Sequence, residues 1–425
     1  VVVGAFGENS KMRLNSNGSF SFSVDMENNG NVKAKYFGGI AGVAEKGAKI
    51  GSDSDTNKAK VKTNIITNKT TTGGSDATQS DTPISVAFGG VVGLVQKDAY
   101  VFNIIAMNYN DTEYENAKVK YNLGGIAGVN KGTIGQCENQ ISTKDSGIEF
   151  TSNNLSFGGI AAINEDGLVI SSKNTKDIVI SNESSETFFG GLVGTLKGGA
   201  IVNSENNGRL LGKGKAVFVG GLAGYAEKAE TNNPEIASSK NTGAIEAQYD
   251  INKSSDSSSS TSTGTSTGNN PSSAAPTWET DFFGNITGED EASIMGSLEG
   301  KYTGAIGGFV GKAASVTIDA KTCETSGEIK GYAFYKRGVE AVKDKSYVKE
   351  EDDENAKDIV YKDIIYERRG KYVGNASRGN AVIVEDGDSS QEYKIPKLTK
   401  VDETADATIT WPERDESSEF KERYV

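Results

Sequence analysis

The stretch Ser156-Phe157-Gly158-Gly159-Ile160-Ala161-Ala162 decides how this chain is read, because near-copies of it return along the sequence. Tyr36-Phe37-Gly38-Gly39-Ile40-Ala41-Gly42, Ala87-Phe88-Gly89-Gly90-Val91-Val92-Gly93 and Asn122-Leu123-Gly124-Gly125-Ile126-Ala127-Gly128 precede it. Phe188-Phe189-Gly190-Gly191-Leu192-Val193-Gly194, Phe218-Val219-Gly220-Gly221-Leu222-Ala223-Gly224 and Ala305-Ile306-Gly307-Gly308-Phe309-Val310-Gly311 follow. Between the second glycines (Gly39, Gly90, Gly125, Gly159, Gly191, Gly221, Gly308) the steps are 51, 35, 34, 32, 30 and 87 residues. The unit is therefore some 30–38 residues, with insertions in the two long steps. Val2-Val3-Gly4 aligns with Val91-Val92-Gly93 as a truncated opening copy, so further residues are expected upstream.

A second block recurs about 12–18 residues after each glycine pair. Ser172-Lys173-Asn174, Ser204-Glu205-Asn206 and Ser239-Lys240-Asn241 define it, with Cys137-Glu138-Asn139 and Cys323-Glu324-Thr325 in register. Asn28 and Asn57 fit more loosely. Short β runs punctuated by glycine turns, without a helical period, read as coils of an all-β, β-helix-like solenoid. About eight coils are expected, each strand pairing with its counterpart one coil away. Asn28, Asn57, Asn139, Asn174, Asn206 and Asn241 would form an inward ladder satisfying backbone groups at a bend. Each Gly-Gly pair marks a corner that needs either a positive φ or a close backbone approach. Cys137 and Cys323 hold the small inward position that serine fills elsewhere, where unpaired cysteine packs as a small hydrophobe. They lie too many coils apart to be bridged.

The solenoid is expected over residues 1–332, with loop insertions at 62–83 and 246–300. The second insertion holds a Ser/Thr/Gly tract too polar to pack, followed by Trp278, Phe282 and Phe283. Beyond Tyr332 the composition changes: 6 of the 52 glycines lie after residue 330, while 39 of the last 95 residues are charged. Residues 333–425 are read as a separate, charged, mainly-β cap or module. An open terminal coil is an edge that invites aggregation, so a cap answers a physical need.

Net charge is −13 and the chain has no histidine. The first opposes nucleic-acid binding and the second removes His-dependent nucleophiles and imidazole acid–base chemistry. No apolar run is long enough to span a bilayer. The acidic clusters Asp53/Asp55, Glu289-Asp290-Glu291, Glu350 to Glu354 and Asp386-Gly387-Asp388 do not match a calcium loop and read as solvated charge. Arg13 and Arg209 are the only arginines before residue 330, and no carboxylate set recurs beside a lysine. No catalytic, cofactor or metal residues are assigned, and no cofactor is expected. Asn-x-Ser/Thr sequons at Asn17, Asn68, Asn110, Asn154, Asn182, Asn252, Asn285 and Asn375 are mostly what chance supplies in a chain of this composition.

The pattern Gly-Gly-[Ile/Leu/Val]-x-Gly followed by Ser/Cys-x-Asn-x-Gly resembles the GLUG-type repeat of bacterial surface proteins. Gly191-Leu192-Val193-Gly194 and Gly221-Leu222-Ala223-Gly224 match it best, and Ala162 departs from it where a third glycine is usual. The resemblance covers residues 1–330 and implies a secreted or cell-surface, non-catalytic stalk, adhesin or surface-layer component. It also implies partners among other surface subunits or host and cell-wall glycans or proteins. A carbohydrate-processing β-helix, or the repeat region of a larger surface protease, is the alternative.

Overall fold

The computed structural model describes residues 3–25, 35–66, 84–107, 114–250, 304–340, 360–376, 381–384, 390–392 and 399–401, with short gaps at 17, 55, 142, 144–146, 183–185, 215, 231 and 368. These residues form strands and turns with no helix among them. They divide into two compact units. The first comprises Val1–Gln248, Thr303–Ala333 and Arg368–Lys397, and the second Tyr249–Tyr302, Phe334–Glu367 and Leu398–Val425.

The first unit is a parallel β-solenoid. Its middle coil leaves the hinge Gly158-Gly159 and runs through Ala161–Glu165, Leu168–Ile170, Lys173–Asn174 and Ile178–Asn182. It then returns along Thr187–Gly190 to the next hinge. The first strand of every coil stacks into a first sheet of nine strands, and the second and third strands build a second and a third sheet. In the coils where both are described, the last two segments form the two arms of a fourth. The first hinge glycines, Gly38, Gly89, Gly124, Gly158, Gly190, Gly220, Gly307 and Gly370, align without a slip. The residue after each pair bonds its counterpart one coil on: Ile40 N–H to Val91 O at 2.9 Å, Ile160 to Leu192 at 2.8 Å, Phe309 to Tyr372 at 3.0 Å.

Those same residues are the spine of the core. Ile40, Val91, Ile126, Ile160, Leu192, Leu222 and Phe309 pack with Ile50, Val101, Ile134, Val169, Ile201, Ile236 and Ile318 between the first three sheets. Each such side chain contributes about 1.5–3 kcal/mol on burial. A second core lies between the arms of the fourth sheet, where Phe157 meets Phe189 edge-on at 5.7 Å among Leu123, Phe150, Leu210 and Ile245. The period-2 alternation of short strands thus serves two narrow cores instead of one thick one.

The second unit contains an antiparallel arrangement, with residues 334–340 paired to 360–366 and Ile365–Glu367 paired to Thr399–Val401.

Four expectations change. A ninth coil exists: Arg369–Gly370, Val373–Ala376 and Ala381–Val384 stack in parallel on the coil of Gly307. Its hinge reads Gly370-Lys371-Tyr372-Val373-Gly374, so residues 369–376 and 381–384 continue the solenoid although the sequence places them in a separate module. The insertions are also shorter than expected. Ala59–Ile66 stays in the third sheet through Ile66, and Ile245–Asp250 extends the fourth. Residues 67–83 and 251–303, including Trp278, Phe282 and Phe283, lie outside the described residues.

The hinge glycines are not the positive-φ positions. Among the described residues that conformation recurs instead at Asn103, Gln136, Ser171, Asn203 and Ser238, with φ between 48° and 55°, two residues before the third strand (one before it at Asn103). Asparagine, at two of these positions, visits the left-handed region more readily than most residues. The hinge pairs are glycine because of close approach: a Cβ on Gly191 would lie 2.3 Å from Gly221 O and 2.4 Å from Asn206 Cγ. Finally, Asn57 is exposed, its N–H bonding Ser54 Oγ, and Val61 takes the inward place in that coil. Asn28 lies outside the described residues.

Candidate functional site

Two inward ladders organise the third sheet. Asn139 Nδ2 donates to Asn174 Oδ1 at 2.7 Å, Asn174 to Asn206 at 2.8 Å, and Asn206 to Asn241 at 2.8 Å. The same amides close turns by donating to Lys176 O, Gly208 O and Gly243 O. Each asparagine fills the space beside the second hinge glycine of its own coil, which is why Gly125, Gly159, Gly191 and Gly221 lack a side chain. Gly39 instead faces Thr63, whose hydroxyl donates to Gly90 O, and Gly308 faces Thr325. In the ninth coil Lys371 stands where the second glycine is elsewhere, and no third-sheet strand faces it among the described residues.

The neighbouring ladder runs Cys137, Ser172, Ser204, Ser239, Cys323. Each backbone N–H donates to the hydroxyl or thiol one coil on, at 3.1 Å for the three hydroxyls and 3.5 Å for Cys323. Burial pushes the Cys137 thiol up to about 12 and raises that of Cys323. Both are free thiols held as structural spacers. A third, shorter ladder escaped the sequence reading: Asn130 Nδ2 to Asn164 Oδ1 at 2.6 Å, and Asn164 Nδ2 to Gly167 O. The sequon residue Asn182 is likewise fully buried, its amide donating to Ser152 and Thr187.

Function must therefore be sought on the outward faces. On the third sheet the outward column alternates in sign: Glu138, Lys173, Glu205, Lys240, Glu324. Burial pushes the Glu138 carboxyl up, but hydrogen bonding to Gln140 together with Lys58 and Lys173 outweighs it and holds the group below its ordinary value. Lys131 and Lys197 do the same for Glu165 on the first sheet, again against desolvation. These are self-neutralising surfaces.

At the hinge, the outer faces of the first sheet and of the fourth sheet's returning arm pack against each other. Phe188 stacks on Tyr225 at 4.6 Å, and Lys312 lies 4.6 Å over Phe218 while pairing with Glu186. Burial, then Glu227 and Glu186, push the Tyr225 phenol up to about 12. This cluster is closed by its own lysine.

The outer face of the second sheet is different. Its outward columns run Lys11, Lys49, Tyr100, Thr133, Leu168, Ala200, Glu235 and Arg13, Gly51, Phe102, Gly135, Ile170, Val202, Ala237. At the amino-terminal end they line an open trough of 340 Å³. Lys49 lies 5.3 Å over the ring of Tyr100, which is 41% exposed. The Phe102 ring lies across Gly51, where a Cβ would meet it at 2.6 Å. Among the described residues no carboxylate pairs with Lys11, Arg13 or Lys49.

The sequence reading singled out none of these residues except Arg13, noted for its rarity. The available signal was positional, since Lys11, Lys49, Tyr100 and Thr133 occupy one place in successive coils once the rungs are aligned. Of the acidic clusters, Asp53 is exposed and accepts the Ser16 N–H at 2.7 Å, a turn contact. Asp55, 289–291, 350–354 and 386–388 lie outside the described residues. No three potential metal ligands converge among the described residues. Comparisons with protein-family models, curated proteins and solved structures find no match.

Proposed function

We propose that this chain is a non-catalytic structural and adhesive repeat protein of the cell surface or the extracellular space, a stalk, adhesin or surface-layer component of the GLUG-repeat kind. The observation that carries the reading is the unbroken register of the hinge column through eight coils, reinforced by the asparagine and serine ladders. The inward polar side chains are used to hold one coil to the next. Repeats whose stability comes from nearest-neighbour interfaces give a stiff scaffold that presents side chains at fixed intervals.

The rival reading, a carbohydrate-processing β-helix, draws on the open trough of the second sheet. Glycoside hydrolysis is ordinarily done by a pair of carboxylates, whereas the trough is bordered by Lys11, Arg13 and Lys49. Beads coated with the chain, incubated with a panel of cell-wall and host polysaccharides, separate the two. Retention on surfaces without release of new sugar ends is the expected result. Steady product release would overturn the non-enzymatic reading.

A further inference from the structure

We propose that the second-sheet trough centred on Lys49 and Tyr100 is a binding site for an acidic oligosaccharide, one carrying carboxylate or sulfate groups; the inference deepens the surface-adhesive reading and rests on it.

The first argument is charge. Lys11 and Lys49 are direct partners in a parallel ladder, and Arg13 lies two positions along the first strand. Like charges directly opposite one another destabilise a sheet. The third sheet of the same solenoid avoids this by alternating Glu and Lys. The second sheet leaves the repulsion in place, and no acidic residue enters either outward column before Glu235 in the seventh coil. An anion laid across the first two coils removes that cost. The chain's overall −13 does not prevent this, because charges further than a Debye length of roughly 8 Å are largely screened at physiological salt.

The second argument is shape. The trough is of small-ligand size, at the low end of the ~300–1,000 Å³ range of ligand pockets. Tyr100 offers an exposed amphipathic ring beside the cations, and Phe102, folded down over Gly51, leaves the floor flat. A ring face bordered by cations and by the Thr133 side chain suits a saccharide: apolar C–H faces stack, hydroxyls find a polar edge, and the acid group meets Lys11 or Lys49. Lys49–Ser52 and Tyr100–Phe102 are paired on both sides, so an extended peptide cannot add itself there as a strand. Three cations also fall short of the six to ten or so phosphate contacts that strong nucleic-acid binding uses.

The test is titration of the full chain with oligogalacturonate and with a sulfated heparin-derived oligosaccharide. Neutral cello-oligosaccharide, oligo-dT and polyglutamate of matched length serve as competitors. Binding of at least one acidic sugar, weakened by salt and at least tenfold tighter than the neutral sugar, is expected; which sugar binds identifies the acid group. Lys49→Gln and Tyr100→Ala should each weaken it tenfold or more without lowering the melting temperature, both side chains being exposed, and Lys49→Gln should if anything raise it by relieving the Lys11 repulsion. Lys240→Gln, on the third sheet, should bind as the parent does. The proposal is overturned by no acidic sugar binding, by either trough variant binding normally, or by oligo-dT or polyglutamate binding as tightly. Product release from polysaccharides would instead count against the scaffold reading while leaving this site standing.

Discussion

Asn206 shows what a single amide does in this molecule. Its oxygen accepts from Asn174, and its nitrogen donates both to Asn241 and to Gly208 O, so one buried side chain ties three coils and closes a turn. Asn206→Ala should cost roughly 2–4 kcal/mol, because Asn241 Oδ1 and Gly208 O lose their partners inside the core. Faster hydrogen exchange confined to the coils around residue 206 would report it. Among the described residues the ladder stops at Thr325, whose buried hydroxyl has no partner there. Thr325→Asn should therefore extend it and stabilise the carboxy-terminal coils by about 1 kcal/mol, read as a higher urea midpoint; an unchanged or lower midpoint would contradict the ladder's role. Cys137 is fully buried with its thiol pushed up to about 12, first by burial. At pH 8 a thiol reagent should reach it only after unfolding, and rapid labelling of native Cys137 would mean that its coil opens readily.

At the scale of an element, the third sheet is stabilised by the alternation of charge along its outer column. Glu138 is held below its ordinary value, so its ionised form contributes stability above the unfolded value of about 4.3. That contribution is lost as pH falls from there through the lower folded value. Lys173→Glu would place three carboxylates in a row, Glu138 and Glu205 flanking the new one. The expected result is an upward shift of the Glu138 titration, followed by carboxyl NMR, and a loss of up to about 1 kcal/mol at neutral pH. A Glu138 titration that did not move would show the column to be electrostatically idle. The hinge element is governed by space instead. Gly191→Ala puts a methyl against Gly221 O and Asn206, so the coils must part, at a cost on the order of 3 kcal/mol or more.

The first unit as a whole behaves as a one-dimensional array, since each coil pairs with the coils before and after it. Residues 191–220 form one complete period, from the second glycine of one hinge to the first glycine of the next. Deleting them joins Gly190 to Gly221 and restores the hinge in phase, bringing Asn241 next to Asn174. The shortened chain should keep the same β-sheet signal per residue in circular dichroism and unfold cooperatively. Aggregation or loss of that signal would show that stability depends on something beyond neighbouring coils.

The sequence by itself determined that the chain is a stack of glycine-hinged β coils. It also determined which side chains face inward at Cys137, Asn139, Asn174, Asn206 and Asn241. Those requirements recur in the central rungs: a backbone approach that excludes a Cβ and a bend whose polar groups must be satisfied each leave the same residue in the same place. Only the tertiary structure decided the rest. Asn57 resembled a ladder residue by spacing, yet strand register placed Val61 inside. Lys371 hid the ninth coil: the glycine it replaces is crowded elsewhere by the next coil's backbone and by an inward Asn or Thr of the third sheet, and among the described residues neither lies against Lys371. The trough of Lys11, Lys49 and Tyr100 spans coils separated by 38 and 51 residues, and nothing local marks any of its members. An outward position is free of packing constraint, so its meaning arises only when stacking sets it beside its neighbours one coil away.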